Sequence, residues 1–197
     1  MFSTSTDLKL CCYDVESNKL KWEIKDSHED SVSSMITMGP SLMATGDDGG
    51  KIKIWDTRKE KKPVFSYTNH SDYITSFSYK ENLLISTGGD GVVSVYHCRN
   101  GKTKATSEEY EDEITCGTLV RHGNNFVSGT GQGSLLVWNW DKWYGHQLSY
   151  KGLKSKGTID SIIKLNESTV SVGCGNGSIR FSFLSNSFFF SKLIFLF

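Results

Sequence analysis

The sequence is poor in the residues that mark several common classes of protein. Its 197 residues include only 2 prolines, and its 5 cysteines form no Cys-x-x-Cys pair. A zinc site and a disulfide framework therefore have little support, and free thiols within apolar segments favour a reducing compartment. The polar start of the chain lacks the basic and then apolar pattern of a secretory signal, so we expect no transfer into the secretory pathway.

An excess of charge of either sign is also lacking. Lys+Arg and Asp+Glu each number 22, which gives a formal net charge of zero. This balance offers no basic footprint for a nucleic acid, and we expect no membrane partner. One short basic run, Arg58-Lys59-Glu60-Lys61-Lys62, is interrupted by an acid. Such a run is typical of a solvated loop, with a localisation signal or a phosphate-binding patch as the alternatives.

Glycine, by contrast, is abundant, with 19 residues, many of them grouped in the four turns DDGG, GGDG, GQG and GNG. The intervals between the last glycines of these turns are 41, 42 and 44 residues: Gly50, Gly91, Gly133 and Gly177. A second marker, a β-branched residue after a polar pair, recurs at intervals of 42, 40 and 45 residues: Val32, Ile74, Ile114 and Ile159. Two independent markers with one period predict a repeated unit of four strands.

Within each unit the pattern predicts hairpins. Residues 42–58, LMATGDDGGKIKIWDTR, give an apolar run, a glycine turn and an alternating run that ends in Trp-Asp. The next unit repeats this order, with YITSFSY as inner strand, then LLIST, VVSVY and a polar outer strand. The turns recur too often for a helix of ordinary length.

This repeat resembles the WD-repeat β-propeller family over about residues 3–182, most specifically in GDDGGKIKIWD. The resemblance implies an all-β fold: a partial WD-repeat β-propeller with about three complete four-stranded blades and two partial ones. The predicted units are about 1–24, 25–66, 67–107, 108–150 and 151–182. The first unit begins inside a blade, so we expect a fragment of a larger propeller. Residues 183–197 form an apolar tail outside the repeat, which we expect not to belong to the fold; a membrane anchor is the alternative.

Good blades of this family contain a buried hydrogen-bond network of His, Ser or Thr, Asp, and Trp or Tyr. The resemblance assigns it fully to one unit: His70, Ser86, Asp90 and Tyr96. The preceding unit has His28, Thr45 and Trp55, but Gly49 occupies the acid position, with Asp47 and Asp48 beside it.

Other units keep less of the network. The unit of Ser128 and Trp138 has Gln132 in place of the acid, and Ser3, Asp7 and Tyr13 keep the spacing without their histidine. The last unit has Val172, Asn176 and Ser182, so we expect stability to decrease toward it. These positions recur unit after unit, whereas an active site occurs once. They therefore predict a structural role and no enzyme.

Two glycine-rich loops, GTGQG and GCGNG, superficially suggest a dinucleotide site. Each has Ser where the third glycine of a GxGxxG loop belongs, and each precedes a strand pattern rather than a helix. The hairpin interpretation is favoured, and no cofactor is predicted.

One motif suggests a named partner. Trp55-Asp56-Thr57-Arg58 resembles the motif by which some WD-repeat proteins dock on the cullin-4 ubiquitin ligase adaptor. That resemblance makes Asp56 and Arg58 candidate partner-binding residues, and the protein a candidate substrate receptor. The simpler interpretation is an ordinary repeat ending followed by a surface charge.

Several segments resemble a nucleolar branch of the family more closely: ATGDDGGKIKIWDTRKE, HSDYI, LLISTGGDG and IDSIIKLNESTVSVGCGNGSIR. The resemblance implies a non-catalytic protein-interaction scaffold in ribosomal RNA production and ribosome biogenesis. It also implies ribosome-biogenesis factors as partners and a nuclear, nucleolar location, with the cytoplasm as a further possibility.

Overall fold

The structure, a computed structural model, describes residues 1–59, 62–139, 157–184 and 189–194. These residues form 18 β-strands and one 3₁₀ turn, Arg121–Gly123, so the all-β prediction is confirmed. The strands make five antiparallel sheets, in each of which strands consecutive in sequence are paired. None of the described segments is a helix with the length and apolar character needed to span a membrane.

The chain divides into two compact units, Met1–Ile74 and Thr75–Phe197. The first unit begins with sheet 1, which consists of β1 (Phe2–Thr4), β2 (Leu10–Asp14) and β3 (Lys19–Ile24). The central strand β2 has the buried residues of this sheet, and β3 is largely exposed at its start.

Sheet 2 consists of β4 (Val32–Met38), β5 (Leu42–Asp47), β6 (Ile52–Asp56) and β7 (Pro63–Tyr67). The apolar run predicts a buried β5, and this strand is buried from its second residue onward. Burial declines again at β7, which forms the outer edge of the sheet. A core cluster shared by sheets 1 and 2 contains Leu10, Met43 and Trp55.

The second unit contains sheet 3, with β8 (Ile74–Lys80), β9 (Leu83–Gly88), β10 (Val93–His97) and β11 (Lys102–Thr106). These are the four strands that the sequence predicts for this repeat. The unit boundary falls at the first residue of β8. Strands β9 and β10 are buried and β11 is exposed, as expected for an inner-to-outer order.

Sheet 4 has β12 (Ile114–Val120), β13 (Asn125–Thr130) and β14 (Leu135–Asn139). Its buried β13 and β14 provide the centre of two apolar clusters. One cluster joins sheet 4 to Ile85 and Val93 of sheet 3. Residues 140–156, which include the end of the predicted fourth unit, lie outside the described residues.

Sheet 5 has β15 (Ile159–Asn166), β16 (Thr169–Cys174), β17 (Ile179–Leu184) and β18 (Phe189–Ile194). The second apolar cluster packs sheet 5 against sheet 4 within this unit. The inner strand β15 lies next to β12, as β12 does to β9. Face-to-face packing of successive sheets thus buries the apolar runs that recur with the repeat period.

Strands continue beyond Ser182, into the segment 183–197 that we expect not to belong to the fold. Strand β17 continues to Leu184, and β18 pairs with it so that Ile179 is opposite Ile194 and Leu184 is opposite Phe189. An open strand edge presents unpaired backbone groups that any extended segment rich in aromatic and branched residues can satisfy. Pairing here therefore does not require the repeat motif.

Candidate functional site

A chain of buried hydrogen bonds links the strands of sheet 2. The Trp55 Nε1–H donates to Thr45 Oγ1 at 2.8 Å, across the β5–β6 pair. Thr45 Oγ1 lies 2.7 Å from Nε2 of His28, which precedes β4. The sequence assigned these three residues to one network, and the structure brings them together.

The acid of this network is Asp47, not a residue at the Gly49 position that the family spacing indicates. His28 Nδ1 lies 2.6 Å from Asp47 Oδ2, and the Lys51 N–H donates to Asp47 Oδ1 at 2.8 Å. Asp47 ends β5, and its own N–H closes the hairpin on the Lys51 carbonyl. In the sequence Asp47 stands beside the expected acid position, and the acid pair Asp47-Asp48 before the glycines is the signal that identifies it.

The network is fully satisfied when His28 carries its proton on Nδ1. Trp55 then donates to Thr45, Thr45 donates to His28, and His28 donates to Asp47. Burial acts to raise the pKa of Asp47, but the hydrogen bonds from His28 and from the Lys51 N–H hold this pKa below its usual value. The carboxylate is therefore ionised in the folded protein at neutral pH, and its role is to fix the turn.

In sheet 3 the assigned residues are also buried. Ser86 on β9 and Tyr96 on β10 are fully buried, and burial raises the pKa of Tyr96 to about 12, against the lowering effect of hydrogen bonds with Ser86 and Ser94. Asp90 Oδ1 accepts the Val92 N–H at 3.0 Å within the turn. His70 is buried in the first unit, Met1–Ile74.

Sheet 4 keeps one link of the network. The Trp138 Nε1–H donates to Ser128 Oγ at 2.8 Å, the same cross-strand bond as in sheet 2. Gln132 stands at the position of the acid but carries no carboxylate. The turn bond that Asp47 forms in sheet 2 is formed here by Thr130, whose Oγ1 accepts the Ser134 N–H at 3.1 Å in the same register position.

Sheet 5 has lost the network, as the sequence indicates. Ser182 occupies the aromatic position on β17, where its hydroxyl is buried without a hydrogen-bond partner among the described residues. Asn176 accepts the Ser178 N–H at 3.1 Å and the Ser178 hydroxyl at 2.6 Å, so it stabilises only its own turn. In sheet 1, the contacts of Asp7 are similarly local, to Ser5 and Lys9.

The two candidate partner-binding residues form a fork where β6 ends. Arg58 Nε donates to Asp56 Oδ1 at 3.0 Å, and Arg58 Nη2 donates to Asp56 Oδ2 at 2.9 Å. These bonds lower the pKa of Asp56 to about 2. The Arg58 side chain is 69% exposed, whereas that of Asp56 is 6% exposed. The fork uses two of the five guanidinium N–H groups, so this largely exposed side chain keeps donors for a further acceptor.

Metal ligation has no candidate in the described parts of the chain. Among those residues, no group of three or more His, Cys, Asp or Glu side chains is placed to hold a metal ion. Burial raises the pKa of the Cys98 and Cys116 thiols to about 11, which makes both poor nucleophiles.

Known proteins share these features in part of the chain. A family model for the WD domain, G-beta repeat matches residues 19–56 and 61–97. These two segments extend from β3 to β6 and from β7 to β10, and so include the Trp55 and Tyr96 hairpins. The fold class predicted from the sequence, a partial WD-repeat β-propeller, is confirmed.

Curated relatives share most of the described chain. WD repeat-containing protein 55 of Arabidopsis thaliana is 31% identical over 90% of this chain and 50% of its own length. The WD repeat-containing protein 55 homolog of Aedes aegypti is 32% identical over 91% of this chain and 38% of its own length. The chain thus spans about half, or less, of the length of these relatives.

A solved structure shows the same fold at lower identity. A chain in the crystal structure of the mitotic checkpoint complex matches with a TM-score of 0.81 and 17% identity. The match covers 95% of this chain and 58% of that one. At this identity the likeness concerns the fold alone.

Proposed function

We propose that this chain is a member of the WD-repeat family and acts as a non-catalytic protein-interaction scaffold in ribosome biogenesis, in the nucleolus. The observation that carries the proposal is its similarity to proteins named WD repeat-containing protein 55 over about nine-tenths of its length. The resemblance of the repeat segments to a nucleolar branch of the family supplies the cellular role.

The geometry of the polar residues supports a scaffold rather than a catalyst. His28, Thr45 and Asp47 bond to one another in a buried chain that ends on Trp55. Parts of the same chain recur in sheet 4, where Trp138 bonds to Ser128. Residues that hold the strands together are not free to act on a substrate. We therefore expect partners to bind the loops and the rim.

The test is affinity purification of the full-length natural product, tagged, with identification of co-purifying proteins and imaging of the tag. We expect ribosome-biogenesis factors and a nucleolar signal, with the protein's depletion reducing ribosomal RNA precursors. A protein that stays outside the nucleolus and co-purifies none of these factors would refute the proposal.

A second candidate function, docking on the cullin-4 ligase adaptor, is favoured by the Asp56–Arg58 fork. The guanidinium is exposed, yet two hydrogen bonds fix its direction. Such a preorganised cation can form charge-assisted bonds to an adaptor with little loss of side-chain freedom.

Arg58→Ala should abolish adaptor capture in a pull-down without changing the unfolding curve. Arg99→Ala is the matched control, because Arg99 is exposed at the equivalent position of the next repeat, where His97 replaces the aspartate. Equal adaptor capture by the Arg58→Ala variant and the wild type would exclude this docking mode.

A further inference from the structure

An open cavity of about 600 Å³ lies beside the Asp56–Arg58 fork, within the first unit. Its floor is apolar and consists of Trp22 and Ile24 from β3 together with Trp55 from β6. Trp22 and Ile24 are partly exposed and pack on the core cluster that contains Trp55. We call this surface the Trp22 groove. Because its floor packs on the core of sheets 1 and 2, it is a fixed feature of the fold.

The rim of the Trp22 groove is cationic. Arg58, Lys59 and Lys62 line the cavity, and all three are exposed. Among the described lining residues the single carboxylate is Asp56, which the fork with Arg58 already neutralises locally. The groove therefore presents a positive potential above an apolar surface.

We infer that the Trp22 groove binds an acidic peptide segment that carries one aromatic or branched aliphatic residue. This inference rests on the proposed protein-binding function and names the chemistry of a partner. The apolar residue would displace water from Trp22 and Ile24, and flanking carboxylates would meet the three cations. Clusters of basic side chains recognise acidic peptide motifs in this way.

The shape and composition favour a peptide over single-stranded RNA. A nucleic-acid platform stacks successive bases on several exposed rings along a cationic track. Here Trp22 is the one partly exposed aromatic ring among the described lining residues, since Trp55 is buried, and Ile24 offers no stacking face. The cavity also has the size of an ordinary pocket for a few side chains.

The Asp56–Arg58 fork and one turn hydrogen bond prepare the rim for binding. The fork holds the guanidinium of Arg58 in place, and the Lys59 N–H donates to the Asp56 carbonyl at 3.1 Å, which closes the turn after β6. Less conformational freedom is then lost when a carboxylate binds, which favours affinity.

The test uses the purified chain and a fluorescein-labelled peptide of twelve residues, composed of Glu, Asp, Ser and Gly around one central Phe. Fluorescence anisotropy should show saturable binding. Replacing every acid by its amide, or the Phe by Ser, should each weaken binding by about 10-fold. Raising the salt from about 0.1 M to about 1 M should also weaken it, because the screening length falls to about 3 Å. Absence of binding, or equal binding of the amide peptide, would overturn the inference.

Charge-reversal variants locate the binding surface. The double variant Lys59→Glu, Lys62→Glu should bind at least about 5-fold more weakly than the wild type, since two attractive charge pairs with the peptide become repulsive. The matched control is Lys19→Glu, Lys102→Glu, which makes the same change in net charge at exposed positions outside the groove. Equal effects of the two double variants would overturn the inference, as would tighter binding of a labelled twelve-nucleotide uridine RNA than of the peptide.

These outcomes separate the groove from the proposed cellular function. The double variant leaves Trp55, Asp56 and Arg58 intact, so adaptor capture through Arg58 can be measured in the same variant in which peptide binding is weakened. Peptide binding by a protein found outside the nucleolus would refute the proposed location and leave the groove established. Nucleolar protein that co-purifies biogenesis factors but does not bind the peptide would refute the groove alone.

Discussion

Sheets 2 and 5 share a strand plan but differ in how their central hairpins are held. Both have four antiparallel strands, and both turn at a glycine with positive φ, +80° at Gly50 and +78° at Gly177. In sheet 2 a four-residue hydrogen-bond chain joins the hairpin to the loop before β4. In sheet 5 the corresponding aromatic position is Ser182, whose hydroxyl has no partner among the described residues.

The contrast between sheets 2 and 5 shows which features the hairpin requires. Apolar strands and a turn glycine are enough to form the hairpin, because sheet 5 keeps the same register without the network. The network adds a non-local tie between the hairpin and a preceding loop. We therefore expect the stability of sheet 2, and not its topology, to depend on these polar residues.

The largest effect should come from removing the tie in sheet 2. His28→Leu leaves the buried Asp47 carboxylate without its closest partner, and the loss of one member of a buried pair costs about 3 kcal/mol or more. Urea unfolding followed by tryptophan fluorescence measures this change. A loss below about 1 kcal/mol would show that the network does not distinguish sheet 2 from sheet 5.

The two turn glycines give a second, smaller contrast. Alanine at either position meets a left-handed backbone, which costs about 1 kcal/mol. A Cβ at Gly50 would also lie 2.7 Å from the His70 carbonyl oxygen and 2.8 Å from that of Asp72, whereas a Cβ at Gly177 meets nothing within 4 Å. Gly50→Ala should therefore cost at least about 1 kcal/mol more than Gly177→Ala in the same unfolding assay. Equal costs would contradict the close approach at Gly50.

Acid should weaken the sheet that has the carboxylate. The pKa of Asp47 is lower in the folded protein than the usual value near 3.9, so its contribution is complete above about pH 4 and is lost as the pH falls further. The unfolding free energy of Asp47→Asn, measured from about pH 6 to about pH 2.5, should fall less steeply with acid than that of the wild type. Parallel curves would mean that Asp47 is not stabilised in its ionised form.

The smallest effect is expected in sheet 5. Ser182→Ala removes a buried hydroxyl that has no described partner, so its stability change should lie between zero and a gain of about 1 kcal/mol. A loss above about 1 kcal/mol would reveal a hydrogen-bond partner and reduce the contrast with sheet 2.

Much of the fold could be predicted because its determinants are local. The strand positions follow from apolar runs between glycine turns, and the Trp55–Thr45 and Trp138–Ser128 bonds follow from a fixed spacing across one hairpin. A cross-strand pair is set by register, and register is set by the alternation of the strands. Residues joined across a single turn are therefore readable from the sequence.

Other parts of the site were not predictable in this way. The family spacing indicated the Gly49 position, whereas Asp47 is the acid in the structure. The reason is that His28, in the loop before β4, lies within hydrogen-bond distance of Asp47. The fork of Asp56 and Arg58 depends on a turn geometry that residue types alone do not fix. Strand β18 depends on an open edge rather than on the repeat.

By itself, then, the sequence determined the repeat period and the hairpins, since the turn glycines and the strand patterns that mark them are local features of the chain. Tertiary structure decided the acid of the network, the direction of the Arg58 guanidinium and the Trp22 groove. Each of these needs groups from separate strands or loops at a defined distance, and such distances exist only once sheets have packed against one another.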